Sequence, residues 1–215
     1  IGSIFAGEME KPILVFDLGG VLMNHNMPGC IGAFEALIGR EAMQRELGLD
    51  TNGEGKSASL MAQYERGEIK STDFIDKICS MATHEIRPLN VIHAWNLMHA
   101  GIPPERIACL KQLREEGYRL YLLSNNNELH WQHTTGEYPG FASLFEKCFL
   151  SHEMHCTKPD REIFERAARV MEDGRVPVIF VDDLEANRLA ATRYCGWRSC
   201  ADIGELQAIL SAIHS

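Results

Sequence analysis

Lys11–Leu22, KPILVFDLGGVL, is the stretch whose reading decides the fold. Ile13, Leu14, Val15 and Phe16 make a short apolar run, the pattern of a strand buried on both faces. The run ends on Asp17, with Leu18 and two glycines behind it. In an open α/β sheet, ligands bind just beyond the carboxyl ends of the strands, which is where Asp17 would stand. Gly19 and Gly20 allow a sharp turn with bare amides, and such amides can cradle an anion. The plainer alternative is that Asp17 only opens a turn and caps the segment after it, so the rest of the chain has to decide.

Working outward, Met23 to Pro103 reads as helical. Ile31, Phe34, Leu37 and Ile38 recur at helical spacing and Gly39 supplies a stop. Ser57 is expected to cap a helix carrying Leu60, Met61 and Tyr64, and Ser71 a second one burying Phe74, Ile75, Ile78 and Met81, with Asp73 and Asp76 near its positive end. Pro88 suits the first turn of a helix with Val91, Ile92, Trp95 and Met98. From Pro104 strands and helices alternate. Helix Pro104 to Gly117 precedes strand Arg119–Ser124, a strand covers Lys147–Leu150, and a helix from about Pro159 to Met171 buries Ile163, Phe164, Ala167 and Val170. Val178–Val181 is a strand ending in Asp182–Asp183, followed by helix Ala186–Tyr194, strand Trp197–Ala201 and helix Glu205–Ile213. Such alternation implies a parallel sheet with right-handed crossovers.

Composition bounds the partners. The formal net charge of −9 in 215 residues disfavours nucleic acid, which asks for a basic face. No apolar run approaches a membrane span. Seven cysteines without CxxC spacing fit reduced thiols of a cytoplasmic protein, and the first residues read as a loose tail without a signal peptide.

The chemistry gathers at the expected strand ends: Asp17, Ser124 with Asn125, and Asp182 with Asp183, joined by Lys158 just before a helix. A parallel sheet brings them to one edge. Lys158 and the Ser124 loop can hold phosphate oxygens, while Asp17 with the acidic pair can hold a hard cation such as Mg²⁺. Neutralised in this way, a phosphate is open to attack by the Asp17 carboxylate.

Four segments, FDLGGVL, LLSNNN, TKPD and FVDDLEAN, stand in the order and on the elements of the four motifs of haloacid dehalogenase-superfamily phosphatases, and the chain resembles that family over nearly its whole length. Among them it looks most like bacterial sugar-phosphatases of the α-glucose-1-phosphate type. The resemblance implies a Rossmann-like core of residues 11–22 and 104–215, with 23–103 inserted as an all-helical C1 cap. It implies Asp17 as nucleophile and metal ligand, the Gly19 carbonyl as a further ligand, and Asp183 with Asp182 completing a Mg²⁺ site steadied by Asn187. Ser124, Asn125, Gly20 and Lys158 would hold the phosphate of a small phosphorylated metabolite, in a monomer or homodimer.

One departure stands out. Most such phosphatases carry an aspartate two residues after the nucleophile, as general acid and base, and this chain has Gly19 there. A leaving group needing little protonation would tolerate the loss, His25 or His130 could replace the acid, or the protein could be a weak or inactive phosphate-binding relative. A halide-releasing dehalogenase is a further alternative. Trp95, Asn96 and His99 on the last cap helix would either line a substrate pocket or pack in the core.

Overall fold

A computed structural model describes residues 10–49, 58–171, 174 and 176–213. The N-terminal tail and Ser57 lie outside the described residues. Five parallel strands form the sheet: β1 (Ile13–Phe16), β2 (Leu120–Ser124), β3 (Lys147–Leu150), β4 (Val178–Val181) and β5 (Arg198–Cys200), in the order β3-β2-β1-β4-β5. β1 is central, pairing Leu14 with Leu120 on one side and with Ile179 on the other. Its side chains alternate between layers. Leu14 and Phe16 join a cluster with Leu110, Leu113, Leu206 and Leu210, whereas Ile13 and Val15 pack with Ile163, Phe164, Ala167, Ala190 and Ala191. An α/β core with helices on both faces results, as expected of a parallel sheet.

Between β1 and β2 run α1 (Met27–Ile38), the short α2 (Arg40–Ala42) continuing into a π-turn (Met43–Leu47), α3 (Leu60–Glu65), α4 (Ser71–Met81), α5 (Pro88–Asn96) and α6 (Pro104–Glu115). Buried residues from Cys30 to Met98, centred on Phe34, Tyr64, Phe74 and Trp95, form a cluster of their own. Phe74 and Trp95 meet at 4.9 Å between ring centroids, and Tyr64 stacks on Phe74 at 4.3 Å. Beyond β2 come α7 (Glu128–Glu137), a 3-10 turn (Ala142–Leu144), α8 (Ser151–Met154), α9 (Arg161–Met171), α10 (Glu185–Cys195) and α11 (Ile203–Ile213). None of the described helices is long and apolar enough to cross a membrane.

Several local expectations change. Helix α3 is capped by Ser59, whose hydroxyl accepts from Ala62 N at 3.2 Å. Ser71 does not cap α4: Lys70 holds the cap position, and the Ser71 hydroxyl instead meets Tyr64 Oη at 2.7 Å and the Glu128 carboxylate. Val170 is half exposed, because the buried face of α9 runs through Ile163, Phe164, Ala167 and Met171. Pro88 and Pro104 do open their helices, and Gly39 and Gly196 do follow α1 and α10 with positive φ.

Candidate active site

Asp17 directly follows β1, its amide donating to Val181 O of β4 at 2.8 Å, so the backbone direction is set by the sheet. Its Oδ1 accepts from Leu18 N at 2.7 Å and lies 3.0 Å from Lys158 Nζ. Lys158 sits before α9, and the side chain of Asn125 holds it there: Asn125 Oδ1 accepts from Lys158 N at 2.8 Å and Asn125 Nδ2 donates to Lys158 O at 2.9 Å. That brings the ammonium, almost wholly buried, between two carboxylates, with Asp182 Oδ2 at 2.6 Å. A buried lysine is tolerated only when paired in this way. The two carboxylates hold its ammonium above the ordinary lysine range despite the opposing pull of burial.

Asp182 is completely buried and its carboxylate is saturated. Besides Lys158 it accepts from Leu184 N at 2.9 Å and from Asn187 Nδ2 at 3.0 and 3.1 Å. Asn187 lies one turn into α10, which fixes its reach. Asp183 is exposed and leans against the β1 turn: a Cβ on Gly20 (φ +74°) would come within 2.3 Å of Asp183 Oδ2. Oxygens of Asp17, Asp182 and Asp183 lie within 4.8 Å of one another. Burial first, then the neighbouring Asp182, pushes the Asp17 carboxyl up to about 7 against the attraction of Lys158, and the same two causes raise Asp183. With Asp182 filled by its own hydrogen bonds rather than placed as a direct ligand as expected, the hard oxygens of Asp17 and Asp183 beside it fit a small divalent cation that would relieve the repulsion among the three.

The Ser124 hydroxyl closes β2 next to this cluster, 2 % exposed, and contacts its neighbour's carbonyl, Asn125 O, at 3.3 Å. Gly20 is placed differently from expectation: its amide is not bare but donates to Met23 O at 2.9 Å, because the turn after Asp17 closes on itself. Gly19 has a different neighbour. A Cβ there would come within 2.3 Å of His25 Nε2, so the imidazole fills the space in which a side chain at 19 would begin.

Trp95 and His130 are engaged elsewhere. Trp95 is fully buried and donates from Nε1 to Asn127 Oδ1 at 3.0 Å. His130 stacks on Trp95 at 4.8 Å and spends both ring nitrogens, Nδ1 with Asn127 Nδ2 at 3.1 Å and Nε2 with Trp95 O at 2.9 Å. Its burial, reinforced by His99, keeps it neutral far below the usual imidazole range. With no free nitrogen, His130 is not placed to replace an acid at 19; His25 is the imidazole at that spot. Asn127, which reads as a loop former, turns out to be the cap of α7 and the acceptor for Trp95.

A family model described as a haloacid dehalogenase-like hydrolase matches residues 12–194. The D-ribitol-5-phosphate phosphatase of Bacteroides thetaiotaomicron is 26 % identical over 186 residues, covering 81 % of this chain and 84 % of that protein. The sesquiterpene phosphatase astK of Aspergillus oryzae is 27 % identical over 188 residues, covering 82 % and 83 %. Among solved structures, a HAD-family enzyme of B. thetaiotaomicron in complex with magnesium and inorganic phosphate superposes with a TM-score of 0.76 at 29 % identity, covering 92 % of this chain and 99 % of that one. The matches run through the sheet and the inserted helices alike, and the acids, hydroxyl and lysine that suggested them meet at one sheet edge. The chain belongs to the haloacid dehalogenase-like hydrolase family.

Proposed function

We propose that the protein is a Mg²⁺-dependent phosphomonoesterase acting on a small hydroxylated metabolite such as a sugar or alditol phosphate, with residues 23–103 serving as its cap. The observation that carries this reading is Asp17, 3.0 Å from Lys158 Nζ and grouped with Asp182 and Asp183 within 4.8 Å. Two relatives named as phosphatases, and a similar structure holding magnesium with phosphate, support it.

On this reading an Asp17 carboxylate oxygen attacks phosphorus, the bond from phosphorus to the ester oxygen breaks, that oxygen leaves as the alcohol with a proton taken from solvent water, and a phospho-Asp17 forms. Water then attacks that phosphorus, releasing phosphate and returning Asp17. Lys158 favours the anionic form of Asp17 against its burial and meets the phosphate oxygens, Ser124 donates its hydroxyl to them, and Asp182 holds Lys158 in register with help from Asn187. Asp17, Asp183 and the Gly19 carbonyl would hold the cation, whose chemistry is to offset phosphate charge as it builds up. The cap excludes water while the ester is cleaved.

Asp17→Asn is expected to reduce phosphate release in Mg²⁺ to background while the far-UV circular dichroism and thermal midpoint stay near those of the parent, and EDTA should silence the parent. An Asp17→Asn protein that turns over normally would sink the assignment. Gly19 favours one second reading, a phosphate-binding relative without turnover. That reading wins if phosphorylated metabolites raise the thermal midpoint yet none is hydrolysed.

A further inference from the structure

Asp182 is tied down by its own hydrogen bonds, whereas Asp183, the acid left open for a cation, is exposed. Helix α10 begins two residues after Asp183, and side chains on a helix lean back toward its N-terminus. Asn187 and Arg188, the third and fourth residues of α10, both reach back in this way. Asn187 takes the Asp182 carboxylate. Arg188 reaches the main chain instead, its Nη1 donating to Asp182 O at 2.8 Å and to Asp183 O at 2.7 Å. Those carbonyls belong to the peptides on either side of the Asp183 Cα. With both bound to one nitrogen, and with Asp182 N donating to Cys200 O of β5 at 3.1 Å, rotation about Asp183 φ and ψ is restrained and the direction of its side chain is set.

As a bare charge, Arg188 is badly placed. A cation is unfavourable near the positive end of a helix, and a guanidinium close to a metal site repels the ion. As a donor it is well placed, because its bonds go to the two carbonyls rather than to the Asp183 carboxylate. The plainer reading is that Arg188 only satisfies those carbonyls. Asp183 is exposed, however, so water would satisfy its carbonyl equally well. What separate waters cannot do is fasten both carbonyls to one helix.

We infer that Arg188 is a positioning residue for the cation: bridging the carbonyls that flank Asp183, it aims the Asp183 carboxylate at the turn formed by Asp17 and Gly20. This rests on the Mg²⁺-dependent reading above. The aim is close, since a Cβ on Gly20 would lie 2.3 Å from Asp183 Oδ2, and oxygens of Asp17 and Asp183 come within 4.8 Å of each other. Without the bridge an exposed Asp183 can turn away, and the ion has to order it on binding. Losing a partner that orients a metal ligand typically costs about ten- to a hundredfold in metal affinity.

The test titrates the metal alone, Mn²⁺ standing in for Mg²⁺, and reads free Mn²⁺ by electron paramagnetic resonance for the parent, Arg188→Met, Asp183→Asn and the double variant. Methionine keeps an unbranched stem and removes both the donors and the charge. Losing the charge alone would tighten binding, whereas losing the bridge weakens it, so the sign of the change separates the two roles. Arg188→Met is expected to raise the Kd about three- to tenfold, near the low end because the lost repulsion works the other way. In the Asp183→Asn background the same substitution should add less than twofold, since no carboxylate is left to aim. Misfolding lowers the number of sites and not their affinity, so a merely structural role leaves the Kd unmoved. A Kd for Arg188→Met equal to or tighter than the parent's would overturn the inference and leave the phosphatase reading intact. So would an equal weakening with and without the Asp183 carboxylate, because Arg188 would then act on something else. A parent that binds no Mn²⁺ would instead remove the metal-dependent reading on which the inference rests.

Discussion

On the phosphomonoesterase reading, Gly19 and His25 bear on how the leaving group gains its proton. A positioned acid contributes about 10²–10⁴ in rate, and the position two after Asp17 has no side chain to provide one. The structure shows why: the imidazole of His25 already takes that space, its Nε2 2.3 Å from where a Cβ on Gly19 would stand. His25 is exposed overall, so the ring can swing aside, but an aspartate introduced at 19 has to displace it. Gly19→Asp alone should therefore gain little, whereas Gly19→Asp combined with His25→Ala should raise kcat on alkyl phosphates about tenfold or more over His25→Ala. Aryl phosphates, whose leaving groups need no proton, should show a much smaller gain. Equal kcat for the double and the His25→Ala protein on both ester types would show that protonation of the leaving group does not limit turnover.

Helix α7 is the element that sequence patterning does not reveal. Glu128–Glu137, ELHWQHTTGE, has almost no apolar periodicity because the face it buries is polar: His130 and Thr134 are inside, under the cap residue Asn127. Asn127 Oδ1 accepts from His130 N and from Trp95 Nε1, both at 3.0 Å, so one amide starts this helix and ties it to α5. Asn127→Ala should lower stability by about 2–4 kcal/mol, summing a lost helix cap and a buried indole N–H without an acceptor. Urea unfolding measures it, and a loss below about 0.5 kcal/mol would mean that water replaces the amide at both donors. The contrast with β1, β2 and β4 is instructive. Those strands are buried on both faces and end in Asp17, Ser124 and Asp182, so composition alone marks them. Polar helix faces and the diversion of the Ser71 hydroxyl from capping α4 to Tyr64 and Glu128 depend on partners distant in sequence, which no local pattern encodes. Gly20 is a local case, its amide being claimed by Met23 O three residues on within the turn.

At the scale of the whole molecule, the inserted helices meet the core in two ways. The chain leaves and returns along one paired crossing, with Asn24 N donating to Gly101 O at 3.0 Å, Ala100 N to Asn24 O at 2.8 Å and Asn26 N to Met98 O at 2.8 Å. Farther out, the helices meet α7 and its loop through Trp95 with Asn127 and His130 and through Leu129 N donating to Tyr64 Oη, and the rim contacts are single polar links: Ser151 to Glu65 O, His155 to Arg66 O, and Ser71 to Glu128. A paired crossing resists separation, while isolated hydrogen bonds to carbonyls exchange readily with water, so opening is expected to pivot on the crossing and part the outer links. Ser151→Ala probes this arrangement because it removes the one hydroxyl that joins Glu65 to the Asn126 loop and leaves Asn126 N–H without its acceptor. Hydrogen exchange should quicken at residues 64–68 and 125–127, with the amides of β1 and β4 as protected as in the parent. KM should rise about three- to tenfold as the bound state must re-form the contact. Exchange confined to residues 125–127, with 64–68 unchanged, would mean that the apolar cluster around Trp95 alone holds the helices down and that the Ser151 link serves only the loop.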